Sequence, residues 1–125
     1  MALERPQRRK VMVGTLERPV GERRVECCPR LHETVELVGK RWSGAIIYVL
    51  MQGGRMRFSE IGHAVPELSD RLLSERLKEL EKRGIVERRV HDGSPVRVEY
   101  ELTERGRDLR DALLQLKAWG DRWLL

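Results

Sequence analysis

The feature that most constrains this chain is a change of period at Gly84. Before it, Leu73, Leu77 and Leu80 recur at helical spacing, with Leu72 at the edge of the stripe. Ser69 stands where an N-cap belongs, and Ser69-Asp70-Arg71-Leu72 reads as a capping box. Lys82 and Arg83 put cations in the last turn, and Gly84 ends the helix. After Gly84 the period is two. Ile85–Val90 and Val96–Leu102 read as strands, joined by the turn His91-Asp92-Gly93-Ser94-Pro95. A long helix that runs straight into a hairpin leaves few architectures open.

The upstream sequence narrows them further. Leu31–Val38 predicts a short helix ended by Gly39 and Lys40. From Trp42 to Met51 the chain is apolar, with Ala45, Ile46, Val49 and Leu50 on one face and Gly53-Gly54 as the stop. Ser59 predicts the N-cap of another short helix, with Ile61 and Val65 on one face and Pro66 closing it. Thr103 caps a last helix that carries Leu109, Leu113, Leu116 and Trp119, a stripe extended by Trp123 and Leu124. Four helices, a hairpin and a helix predict a mainly α (α+β) fold. It is a winged helix-turn-helix with a two-stranded wing and a C-terminal dimerisation helix.

A length of 125 residues suits one domain. Residues 1–26 lack a clear period and hold Pro6, Pro19 and seven basic against four acidic residues. They read as a flexible basic arm, with a short extended piece around Val11–Val13, ahead of a domain over residues 27–125. The formal charge of +5 is compatible with a polyanionic partner but does not establish one. Of 25 basic residues twenty are arginine. Arginine grips phosphate and guanine through a planar fork, though an Arg-rich codon usage gives the same count. The longest apolar run, Ala45 to Met51, is far below the roughly 18–20 residues of a membrane span, and the first residues lack an apolar signal core. A cytoplasmic protein is expected. The adjacent Cys27 and Cys28 make no disulfide framework.

A helix-turn-helix directs attention to the outer face of its second helix, which enters the major groove of double-stranded DNA. Removing the leucine stripe leaves Ser69, Asp70, Arg71, Ser74, Glu75 and Lys78. Arg71 suits guanine, Ser74 a base or phosphate, and Lys78 phosphate. Asp70 and Glu75 repel phosphate and suit cytosine amino groups or their own basic neighbours. The wing turn is flanked by Arg88, Arg89 and Arg97. With Ser94, and with Arg55 and Arg57 ahead of the helix-turn-helix, these residues are candidates for backbone contact. The last helix needs cover for its tryptophans. A homodimer provides it and presents two reading helices to half-sites one DNA turn apart.

The stretch from Cys28 to Trp123 resembles the HxlR family of bacterial regulators, winged-helix proteins near MarR. The resemblance rests on Cys28-Pro29, Val38-Gly39-Lys40-Arg41-Trp42, Arg57-Phe58-Ser59-Glu60-Ile61 and the run from Leu77 to Val86. It continues in the run from Pro95 to Gly106 and in Trp119-Gly120. The family usually has lysine where this chain has Arg41, which keeps the charge. The first 26 residues are longer than the family's usual lead-in. The resemblance implies a homodimer built from the first core helices (Leu31, Val35) and the last helix (Leu113, Leu116, Trp119, Trp123), bound to a palindromic operator. It also implies that Cys28 senses an electrophile or oxidant by S-alkylation or an intersubunit disulfide.

Arg24, Arg30 and a helix starting after Pro29 favour a thiolate at Cys28, and Glu26 opposes it. Cys27 is poorly placed to bridge its neighbour. Two other readings use the same residues. Cys27, Cys28 and His32 form a metal-responsive centre, although the usual C-x₂₋₄-C spacing is absent. Alternatively, Cys28 with His32 is the nucleophile of a thiol-dependent enzyme. No Gly-rich phosphate loop or paired acidic motif supports an enzyme. The expectation is a non-enzymatic regulator without metal or cofactor.

Overall fold

The computed structural model describes residues 24–124. The expected arm falls outside the described residues through residue 23, as does the extended piece at Val11–Val13. The elements are α1 (Pro29–Gly39), α2 (Ser43–Gly53), β1 (Met56–Arg57), α3 (Phe58–Ala64) and α4 (Asp70–Lys82). They are followed by β2 (Val86–His91), β3 (Arg97–Leu102), α5 (Glu104–Arg107) and α6 (Arg110–Trp123). Two units divide between Leu37 and Val38, so most of α1 belongs to the first and all later elements to the second. No helix among the described residues is long and apolar enough to cross a membrane.

The leucine stripe of α4 behaves as its spacing requires. Leu73, Leu77 and Leu80 are all buried, together with Ile46, Ile47 and Leu50 of α2 and Ile61 of α3. Each such side chain contributes about 1.5–3 kcal/mol on leaving water. The buried face of α2 is Ser43, Ile46, Ile47 and Leu50, not the predicted face with Ala45 and Val49. Ala45 is exposed and Val49 half-buried. An almost uniformly apolar segment has no polar face to mark its orientation, so packing decides it. Helix α2 starts from Trp42 in the left-handed region, φ 78°, with Arg41 stacked 4.9 Å from the centroid of its ring.

Three helix ends differ from expectation. Helix α3 is capped two residues earlier than expected. Arg57 is its N-cap and Ser59 lies inside it, and the Glu60 carboxylate accepts from the Arg57 amide at 2.8 Å. Ser69 does cap α4, its Oγ accepting from Leu72 N at 3.2 Å. No reciprocal capping box forms, because the third helical residue is Leu72, which has no side-chain acceptor. The last helix is two pieces, α5 and α6, with the backbone between them at Asp108 and Leu109.

The wing is part of a three-stranded antiparallel sheet, ordered β1-β3-β2. The two-residue β1 pairs Met56 with Tyr100 and Arg57 with Glu99. It is too short to show a period, so the sequence suggests only the two-stranded hairpin. In β2 and β3, Val86 faces Leu102, Arg88 faces Tyr100 and Val90 faces Val98 on one side. Glu87 with Glu101, Arg89 with Glu99, and His91 with Arg97 share the other.

The junction of α4 with the wing is closed by main-chain bonds. Gly84 takes φ +76° after the cap Arg83. Its N–H reaches Glu81 O at 3.0 Å, and Ile85 N–H reaches Leu80 O at 2.9 Å, which is a Schellman ending. The carbonyls of residues 83 to 85 are then all taken from one place. Arg105 Nη1 donates to Arg83 O (3.0 Å), the Thr103 hydroxyl to Gly84 O, and Thr103 N to Ile85 O (3.0 Å). Gly106 lies so close that a Cβ there would collide with the Ile85 carbonyl. Gly106→Ala is therefore expected to destabilise the fold by about 1–3 kcal/mol, as overpacking does. Urea denaturation followed by circular dichroism measures it, and an unchanged midpoint would refute the close packing.

Candidate nucleic-acid interface

Helices α3 and α4 are joined by Val65-Pro66-Glu67-Leu68-Ser69. Val65 and Leu68 are buried, and Leu68 N–H bonds Val65 O at 3.0 Å, so the turn is packed. Helix α4 is also fastened from behind. Lys40 Nζ donates to Glu79 at 3.0 Å, and Arg76 Nε donates to the Arg41 carbonyl at 2.9 Å. Arg76 is only 12% exposed and also lies 3.6 Å from Glu79. The segment Lys40-Arg41-Trp42 thus anchors the back of α4. Nothing in a linear pattern links Arg76 to a carbonyl 35 residues away.

The front of α4 holds the predicted readers. Ser69, Arg71 and Lys78 are exposed and Ser74 is half-buried. The Arg71 side chain is 80% exposed and lies 3.8 Å from Glu75, an i,i+4 pair in water. Such a pair is worth under about 1 kcal/mol, so a DNA base can replace it. Lys78 has no ion pair among the described residues. It lines one cleft with Ser74, Arg88 and Tyr100.

The sheet sorts the remaining arginines. Arg57, Ser94 and Arg97 line a cleft of about 410 Å³ at the wing turn, beside His91. His91 Nε2 lies 2.9 Å from Glu99 Oε1. Arg55 and Arg89 are differently placed. Arg55 Nε donates to Glu101 at 2.9 Å, and Arg89 Nη2 lies 3.2 Å from Glu101 and 3.6 Å from Glu87. Each has its charge already met by a carboxylate. Sequence reasoning treats Arg88 and Arg89 alike. Strand alternation was the available signal, because neighbours on a strand face opposite ways.

The residues expected at a subunit interface also divide. Leu113 is instead buried within the chain itself. Leu116, Trp119 and Trp123 are 61%, 55% and 64% exposed, and Leu31 and Val35 of α1 are exposed as well. Cys27 and Cys28 are free and exposed. Cys28 precedes α1 as a cap would. Its carbonyl accepts from His32 N at 2.9 Å, and its sulfur from Leu31 N at 3.4 Å. No three His, Cys, Asp or Glu side chains among the described residues gather to hold a metal ion.

A helix-turn-helix packed from behind, followed at once by a three-stranded wing, is the geometry against which known proteins can be compared. The model of the HxlR-like helix-turn-helix family matches residues 37–125. The chain belongs to this family. It is 46% identical over 99 residues to the HTH-type transcriptional regulator YvaP of Bacillus subtilis, covering 79% of this chain and 91% of YvaP. The reduced form of the transcriptional regulator YodB from B. subtilis superposes with a TM-score of 0.71 at 45% identity, covering 79% of this chain and 96% of that one. The redox regulator HypR in its oxidised form superposes with a TM-score of 0.70 at 41% identity, covering 76% and 96%. This HxlR-type chain is a winged helix-turn-helix transcriptional regulator.

Glu101 is the carboxylate on which Arg55 and Arg89 converge. The hydrogen bond from Arg55 holds it below the ordinary carboxylate range, aided by the charges of Arg55 and Arg89 and opposed by burial. A depressed folded-state pKa contributes stability above the unfolded value, and this is lost as pH falls through the folded one. Glu101→Gln is expected to lower the Tm by a few degrees at pH 7. That deficit should close as pH falls below about 4. Thermal melts from pH 7 to pH 3 measure it. A deficit independent of pH would mean that the loss is one of packing.

Proposed function

We propose that this regulator binds a palindromic operator as a homodimer and that Cys28 controls the binding. The observation that carries the DNA reading is α4 itself. Its apolar stripe and its polar anchors both lie on the protein side, which leaves Ser69, Arg71, Ser74 and Lys78 for the major groove. Arg71 reads a base, while Ser69, Ser74 and Lys78 hold or read beside it. Arg57, Ser94 and Arg97 at the wing turn grip the flanking backbone. Arg55 and Arg89, whose charges Glu101 already meets, contribute less.

The dimer reading is supported by the exposed Leu116, Trp119 and Trp123 on α6 and Leu31 and Val35 on α1. Apolar groups of that size on a soluble surface mark interaction sites. Sedimentation is expected at twice the chain mass, and Trp119→Glu is expected to give a folded monomer. Its affinity for a two-half-site operator should fall about 100-fold or more, since the second contact is no longer linked to the first. A wild-type chain that sediments as a monomer would overturn the dimer.

For Cys28 the support is its exposure and its place at the start of α1, where its sulfur accepts from Leu31 N. YodB has been crystallised bound to a quinone and after diamide treatment. By the same chemistry the Cys28 thiolate adds to a quinone ring carbon. A carbon–sulfur bond forms, the ring takes up the electron pair, and a proton from solvent completes the hydroquinone. Genomic DNA fragments selected by the reduced protein provide the operator for the test. Binding is expected to be lost on quinone treatment and retained in Cys28→Ser. Equal binding by wild type with and without quinone would remove the sensing role.

A further inference from the structure

We propose that the seam between α4 and the wing is a seat for one DNA backbone phosphate, formed by Lys78 and Arg88 with Ser74 and Tyr100, and weakened by Glu81 at its edge. This rests on the DNA-binding reading of α4 and adds a contact to it. The seam is a cleft of about 380 Å³ lined by Ser74, Leu77, Lys78, Glu81, Arg88 and Tyr100. Its two cations come from different elements, Lys78 from α4 and Arg88 from β2. Both are exposed, and neither has an ion pair among the described residues. That separates Arg88 from Arg89, whose guanidinium lies on the opposite side of the sheet beside Glu101 and Glu87. A phosphate can bind to Lys78 and Arg88 without displacing any internal partner.

The chemistry fits a phosphodiester. A planar guanidinium fork and a mobile ammonium bring two charges to one anion, and the Ser74 and Tyr100 hydroxyls add neutral donors. Position fits as well. Ser74 and Lys78 lie one and two turns along α4 from its groove-entering start, the side on which a backbone strand passes a helix seated in the major groove. Glu81 adds one negative charge to a lining with two positive ones, and it has no ion pair among the described residues. It therefore opposes an incoming phosphate, and the seat is weaker than its two cations alone would make it.

Fluorescence anisotropy on the selected operator and on a random duplex, between 50 and 200 mM salt, tests this. Arg88→Gln is expected to weaken both complexes about eightfold at 0.1 M salt and to make the salt slope shallower by about 0.9, the loss of one phosphate contact. Arg88→Lys should restore most of the affinity. Glu81→Gln should tighten binding to both duplexes about fivefold at low salt, as removal of one nearby like charge does. If wild type binds DNA and Arg88→Gln keeps its slope, the seat is refuted while the DNA reading stands. A loss confined to the operator would make Arg88 a base reader and refute the seat as well. If wild type binds neither duplex, the DNA reading falls and the seat falls with it.

Discussion

The carbonyls at the end of α4 decide how the rest of this regulator is arranged. A helix leaves its last carbonyls without internal partners, and here protein donors rather than water alone meet those around its end. The left-handed Gly84 folds the chain back so that the last turn bonds itself. The residues just past that turn, Arg83 to Ile85, are bonded by Thr103 and Arg105 from the far end of the wing. The start and the end of the hairpin are therefore clamped together, with Gly106 admitting the close approach. A reading helix and a wing that must meet one DNA duplex gain from such a joint, because neither can swing without breaking the hydrogen bonds that Thr103 and Arg105 donate.

The same economy governs charge. With twenty arginines in 125 residues, a basic surface could bind any polyanion without order. The fold instead divides these cations by task. Arg76 is a structural anchor on the Arg41 carbonyl, Arg105 and Arg107 donate to carbonyls near the wing, and Arg55 and Arg89 are held by Glu101. Among the described residues, Lys78, Arg57, Arg88 and Arg97 have no ion pair and lie along α4 and the wing, while Arg30, Arg110 and Arg122 are equally unpaired on α1 and α6. Affinity for DNA depends on the cations that remain free, since a phosphate that must displace a carboxylate gains little.

Local pattern revealed most of the fold for a physical reason. The α4 stripe, Gly84 and the alternating strands are each determined within a few residues, by periodicity or by a φ that glycine adopts readily. What stayed hidden depends on distant partners. Strand β1 exists because β3 offers it an edge, not because Met56-Arg57 favours extended backbone. Ser59 is a good cap by composition, yet the helix starts at Phe58 because Glu60 turns back to the Arg57 amide. At the candidate site the face of α4 was legible once its leucines were subtracted. The division of labour between Arg88 and Arg89 was legible only from strand register, and the engagement of Arg55 only from its approach to Glu101 across the sheet.

One apolar stripe on α6 serves two ends. Leu113 belongs to the chain's own core, where α6 packs on α2. Three and six residues further on, Leu116 and Trp119 continue the stripe beyond that core, and Trp123 extends it another turn. A helix cannot change the hydrophobicity of one face without cost unless the surroundings change too, and here the chain's own surroundings end near Leu113. The second half of α6 thus carries its apolar stripe beyond the surface that the described residues cover. A second copy of the same helix is the partner whose supply always matches. Joining the copies there would couple the placement of one α4 to that of the other through α6, α2 and the packed leucines of α4. The spacing of two reading helices would then be a property of the hydrophobic core rather than of any residue that touches DNA.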